Sequence, residues 1–142
     1  MKMTDLDFAK RILDSDSFTC VLHKDGVTYT SVERGVKPLV LWYESNISFK
    51  CFSAADKVIG KGAAHLYVLL GVSSVFAEVI SAPALDLLKS HGIRVEYNTK
   101  AEHIINRRGD GICPFEAAVS DIDDSNAAYA AIRKQMKEMG IN

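Results

Sequence analysis

The stretch Ser53-Ala54-Ala55-Asp56-Lys57-Val58-Ile59-Gly60-Lys61-Gly62-Ala63-Ala64, followed by the apolar run Val75–Ile80 and then Ser81-Ala82-Pro83-Ala84-Leu85-Asp86-Leu87-Leu88, decides how this chain is read. Its spacing predicts a helix over Asp56–Leu70, apolar on nearly all sides through Val58, Ile59, Ala63, Leu66, Leu69 and Leu70. A helix apolar all round is buried on more than one face. Gly60 and Gly62 would each cost about 1 kcal/mol against alanine inside it, so close approach to a sheet or a partner chain has to offset them. Ser74–Ile80 reads as a buried strand, Pro83–Ser90 as a helix closed by His91-Gly92, and Ile93–Tyr97 as a further strand. Near-continuous apolar strands in strand–helix–strand order call for parallel pairing through a right-handed crossover.

Outward from this centre the signals are more local. Thr4 is placed to cap a helix carrying Asp5 and Asp7 in its first turn and Leu6, Ala9, Ile12 and Leu13 along one face. Phe18–His23 and Val27–Thr30 flank Lys24-Asp25-Gly26, and Asp-Gly between strand-like segments is a hairpin signal. Arg34–Glu44 is expected to be helical, with Gly35 and Pro38 in its first turns, and Phe49 and Cys51 to form a short strand. Asn106–Gly111 is a polar loop, Cys113-Pro114-Phe115-Glu116 opens a short helix, and Asp124–Met139 makes a terminal amphipathic one. The expectation is one α/β domain over residues 1–142, with a core of about 15–120, a mixed sheet led by a β-hairpin, and helices on both faces.

Composition narrows the class. The 142 residues are 48% hydrophobic and 25% charged, with mean hydropathy +0.04. That is too mixed for a membrane protein and too apolar for a disordered one. A net charge of −1 lacks the basic excess of a nonspecific nucleic-acid binder. The first residues lack the apolar run of a signal peptide, and Cys20, Cys51 and Cys113 are scattered with no Cys-x-x-Cys spacing. A cytoplasmic protein with free thiols is expected, with no membrane segment and no specific nucleic-acid partner.

The order hairpin, helix, strand, helix, strand, helix, strand resembles the three-layer cytidine deaminase-like fold. Residues 53–64, Ser81-x-Pro-Ala-Leu-x-Leu-Leu and Asn106-Arg107…Gly111-Ile112-Cys113-Pro114-Phe115-Glu116 are similar to a bacterial domain-of-unknown-function family assigned to that fold. The resemblance spans roughly residues 15–120 and implies a fold, with no reaction attached. Zinc deaminases carry His-x-Glu and Pro-Cys-x-x-Cys at the two helix starts. Here Ala55, Asp56 and Lys57 stand in the first frame, and Ala84 and Leu87 in place of the cysteines. Zinc needs converging thiolate or imidazole ligands, so no metal and no other cofactor is expected.

Two constellations carry chemistry. Asp56, Lys57 and Lys61 at a predicted helix start, joined by Asn106 and Arg107 of the polar loop, are candidates for gripping a small anionic or nucleotide-like ligand, because free N–H groups and the helix dipole favour anions there. The bland account is that Asp56 caps, the glycines pack, and the lysines are solvated. Cys113 sits at an N-cap with Glu116 at the third helical position. A thiol beside the positive end of a dipole, near Arg107-Arg108, is a candidate nucleophile with Glu116 as its partner; a buried packing cysteine is the plain alternative. A third possibility is a non-catalytic scaffold that self-associates, as a homodimer, through the small-residue face Gly60-Gly62-Ala63-Ala64. His65 reads as a hydrogen-bonded core residue, and Trp42 and Tyr43 as core or dimer contacts.

Overall fold

The computed structural model describes residues 2–106 and 108–141. Helix α1 (Asp5–Ser15) leads into the hairpin strands β1 (Cys20–Lys24) and β2 (Val27–Ser31). Then come α2 (Lys37–Glu44), β3 (Ser53–Ile59), α3 (Lys61–Leu70), β4 (Ser74–Ser81), α4 (Ala82–Ser90) and β5 (Arg94–Ala101). The short α5 (Pro114–Ala118) and the long α6 (Ser125–Glu138) close the chain. The strands form one five-stranded mixed sheet in the order β2-β1-β3-β4-β5. β1 is antiparallel to both β2 and β3, while β3, β4 and β5 run parallel.

Local chemistry explains most of these boundaries. Thr4 accepts from the Asp7 N–H while Asp7 returns a bond to the Thr4 N–H, a complete capping box. The hairpin turns on Asp25 and Gly26 at φ 48° and 81°, the left-handed pair that matches strand twist. Ser81 caps α4 through the Ala84 N–H, with Pro83 in the first turn where its missing donor costs nothing.

The sheet is covered on both sides. α1 seals one face with Leu6, Ala9 and Leu13 against Val21, Ala55 and Phe76. α2, α3, α4 and α6 share the opposite, larger core, centred on Leu22, Ala54, Leu66, Tyr67, Leu88 and Ile132.

Two sequence expectations fail. Residues 53–59 are a strand, so Asp56 and Lys57 lie on β3, and α3 begins only at Lys61. Gly60 is its N-cap in extended geometry (φ −93°, ψ 179°), so no helix-interior glycine cost arises there. Lys57 and Lys61 therefore never share a helical face. Phe49 and Cys51 form no strand: Phe49 is buried edge-on against Tyr29 and Phe52, and Cys51 turns the chain at φ 66°. The scaffold face is also taken. Ala63 and Ala64 are buried inside the chain, and a Cβ at Gly62 would lie 3.2 Å from the Phe115 carbonyl oxygen. α5 packs where a second copy would have to sit.

Candidate functional site

Because β2 and β3 are each antiparallel to β1, β2 points the same way as the three parallel strands. The segments leaving β2, β3 and β5 therefore emerge at one edge of the sheet, the side on which open α/β folds place ligands. A cavity of about 760 Å³ opens there, within the size range of small-molecule sites. Val58 and Gly60 from the end of β3, Ile104 beyond β5, Phe115 from α5 and Met136 of α6 supply an apolar lining. Arg34 and Lys37 border it from the segment after β2, and Arg108 from the loop after β5. Lys37 is paired with Glu33 at 3.4 Å. Among the described residues neither Arg34 nor Arg108 forms an ion pair, and both are exposed.

Of the candidate ligand-binding and catalytic residues, Asn106, Cys113 and Glu116 line this cavity, as do Arg108 of the basic pair and Gly60, Gly62 and Ala63 of the small-residue face. Asn106 spends its side chain on the loop itself, donating to Asp110 Oδ1 at 2.9 Å and accepting from the Asp110 N–H. Cys113 is half-buried at the N-cap of α5 and makes no side-chain capping bond. Glu116 is 4% exposed, and both of its oxygens are committed away from Cys113. Oε2 accepts from the Lys61 N–H at 3.0 Å, and Oε1 from the Ile104 N–H at 3.0 Å, with His103 Nδ1 3.6 Å away. The anion at the start of α3 is thus supplied by the chain's own carboxylate.

The remaining candidates lie elsewhere. Lys57 Nζ donates to Glu78 Oε2 at 3.0 Å on the sheet face shared with α1. Lys61 Nζ turns to the Ser120 carbonyl at 3.0 Å, so this buried lysine ties α3 to the end of α5. Arg107 lies outside the described residues.

Asp56 belongs to a polar chain within the main core. Tyr67 donates its hydroxyl proton to Asp56 Oδ2 at 2.6 Å, so the 3.1 Å contact between Cys20 Sγ and the Tyr67 oxygen is a thiol donating to it. Burial raises the Asp56 carboxyl to about 6, partly opposed by the Tyr67 bond. Burial also pushes the Cys20 thiol and the Tyr67 phenol well above their ordinary values, which keeps both protonated as donors. His65 bridges α3 to α6: Nε2–H donates to the Ile122 carbonyl at 3.0 Å, leaving Nδ1 to accept from Ser125 Oγ at 2.9 Å. Burial lowers its pKa, as a neutral ring in this pairing requires.

Arg34 and Lys37 are the part of the cationic rim that sequence reasoning missed, whereas Arg108 belongs to the basic pair it named. Arg34 and Lys37 are some seventy residues from Arg108 in the chain, and only the parallel exit of β2 and β5 brings them to one cavity.

The model of the family described as TM1506, a domain of unknown function (DUF1893), matches residues 8–136. The crystal structure of a DUF1893 family protein (TM1506) from Thermotoga maritima is similar to this chain with a TM-score of 0.84 at 24% identity, over 95% of this chain and 92% of that one. No curated protein matches.

Proposed function

The chain belongs to the DUF1893 family, a domain of unknown function, and from its own geometry we propose that it is a binding domain for a small anionic, nucleotide-like molecule. The observation that carries this reading is the 760 Å³ cavity itself, apolar within and bordered by Arg34, Lys37 and Arg108. An apolar interior suits a planar base or similar body. Guanidinium groups suit bidentate contact with phosphate or carboxylate.

The strand order β2-β1-β3-β4-β5, led by a hairpin and continued by two parallel crossovers, supports assigning the architecture to the cytidine deaminase-like class. The metal of that class does not fit these residues. The α3 start presents Gly60, Lys61 and Gly62, and the α4 start presents Ala84 and Leu87, so neither helix start offers a thiolate or imidazole. Among the described residues no three potential ligands cluster anywhere. Binding through the rim cations therefore replaces metal-assisted hydrolysis in this account.

A second reading, a thiol enzyme using Cys113, draws on the placement of that side chain in the cavity wall. It has to proceed without Glu116, whose oxygens are engaged by Lys61 and Ile104. Among the described residues no helix is long and apolar enough to cross a membrane.

Native mass spectrometry of protein taken straight from purification tests the binding reading. An adduct of nucleotide or small-metabolite mass that Arg34→Ala and Arg108→Ala reduce supports it. An adduct unaffected by both substitutions assigns the ligand to another surface.

A further inference from the structure

We propose that the Asp56 carboxylate is a proton-controlled positioning group for the cavity: ionised, it holds the end of β3 in place, and protonated, it lets the wall formed by Val58 and Gly60 shift. This regulation rests on the reading of that cavity as a ligand site.

Beyond Asp56, β3 loses its β1 neighbour. The β1–β3 register ends with Cys20 opposite Asp56, and the last main-chain bond between the two segments runs from the Lys57 N–H to the Thr19 carbonyl at 3.1 Å. Val58 and Ile59 then pair only with β4. That ladder skips Lys57 and Glu78, and the β4–β5 ladder skips Glu78 and Asn98, so pairing is interrupted across three strands just where β3 reaches the cavity. Val58 lines the cavity and is exposed. Its restraint comes from Asp56: Oδ1 accepts from the Val58 N–H at 3.3 Å, while Oδ2 accepts the Tyr67 hydroxyl proton at 2.6 Å. One carboxylate thus fastens the end of β3 to α3, the helix whose first turn lines the same cavity through Gly62 and Ala63.

Charge-assisted hydrogen bonds are roughly twice as strong as neutral ones, so a proton on either oxygen weakens both. The titratable groups facing Asp56 are Tyr67 from α3 and Cys20 from β1, whose Sγ lies 3.1 Å from the Tyr67 oxygen. Burial keeps both protonated, so neither takes over the change of charge. Ala77, opposite Asp56 on β4, carries no charge, and Lys57 is turned to Glu78. Among the described residues no ion pair reaches Asp56. Burial places its carboxyl at about 6, which brings the transition close to neutral pH.

Amide NMR of the ligand-free chain between about pH 4.5 and 8 tests this apart from the ligand reading. The Val58 amide is expected to shift with a midpoint of about 6 and to lose that shift in Asp56→Asn. Tyr67→Phe removes a bond that favours the ionised form and is expected to raise the midpoint. His103, 3.6 Å from Glu116 Oε1, is the other group able to titrate beside this wall, and His103→Gln is expected to leave the Val58 titration in place. At about pH 7.5, Asp56→Asn, whose amide stands in for the protonated carboxyl, is expected to bind adenosine 5′-monophosphate about fivefold or more weakly than the wild type. Should Asp56→Asn not fold, the wild-type midpoint and its displacement in Tyr67→Phe decide. A wild-type Val58 amide that does not titrate, a titration that survives Asp56→Asn or vanishes in His103→Gln, or equal affinity of wild type and Asp56→Asn overturns the proposal. A titrating Val58 in a chain that takes up no monophosphate upholds the positioning role and contradicts the ligand reading instead.

Discussion

The Glu116 carboxylate accepts a hydrogen bond from the Lys61 backbone N–H at 3.0 Å across 55 residues of sequence, and so caps the helix that follows the central strand. Its other oxygen holds the Ile104 N–H. One buried side chain thereby fastens the segment after β5 to the start of α3 and forms part of the cavity wall. Glu116→Ala leaves two buried donors unpaired and is expected to cost about 2–4 kcal/mol. Glu116→Gln keeps a neutral acceptor and is expected to cost about half of that. Urea unfolding checks both values, and a loss below about 0.5 kcal/mol for the alanine variant would show that the capping contributes little.

Gly60 shows how tightly this cap is built. A Cβ added there would meet Glu116 Oε2 at 2.6 Å and Ile104 Cγ1 at 3.2 Å. Gly60→Ala is therefore expected to destabilise by about 1–3 kcal/mol. It should also speed hydrogen exchange at the Lys61 and Ile104 amides, measured by NMR. Unchanged exchange at both would mean that the carboxylate yields without breaking its bonds.

The pH dependence of stability separates two buried groups. The Asp56 carboxyl rises from 3.8 to about 6 on folding, so the native state holds that proton more tightly than the unfolded chain. Its contribution is complete below pH 3.8 and is lost as pH rises to about 6, an effect on the order of 3 kcal/mol. His65 works in the opposite sense. Its pKa is lowered by burial, so its contribution is present above 6.5 and is lost as pH falls below that value. In thermal melts between pH 4 and 7, the wild type minus Asp56→Asn difference should fall as pH rises. A flat difference would place Asp56 in an ordinary solvated state.

Much of the fold is written locally. The capping box at Thr4, the Asp25-Gly26 turn and the Ser81 cap with Pro83 are each complete within a few residues, and their elements stand where the sequence places them. β3 is different. Ser53-Ala54-Ala55-Asp56-Lys57 is rich in helix formers, and only burial between β1 and β4 makes it a strand. Reading β3 as the start of the helix puts the anion-favouring helix end at Asp56, five residues ahead of its position at Lys61, and draws Asp56 and Lys57 into the site. Glu116 stood out because it follows Cys113 and Pro114 at a helix start, but its partners at Lys61 and Ile104 are tertiary and leave no trace in its neighbours. Arg34 carries no local motif, Arg108 stands out only as half of a basic pair, and the strand directions alone bring the two to one cavity.

The three thiols differ in access, which gives a probe of the cavity. Cys51 is exposed, Cys113 is half-buried in the wall, and Cys20 is buried as a donor to Tyr67. N-ethylmaleimide should label Cys51 first, Cys113 next and Cys20 only on unfolding, as read by peptide mass spectrometry. Saturating nucleoside monophosphate should slow labelling of Cys113 and leave Cys51 unchanged. Equal protection of both would point to a general change in the fold.

The most direct measurement is isothermal titration of adenosine and uridine 5′-monophosphates into the wild type, Arg34→Ala and Arg108→Ala proteins at low and moderate salt. The account predicts saturable one-to-one binding that weakens with salt and by about tenfold in each variant, as expected for loss of a charge-assisted contact. Absence of saturable binding to either nucleotide, or affinity unchanged in both variants, would contradict it.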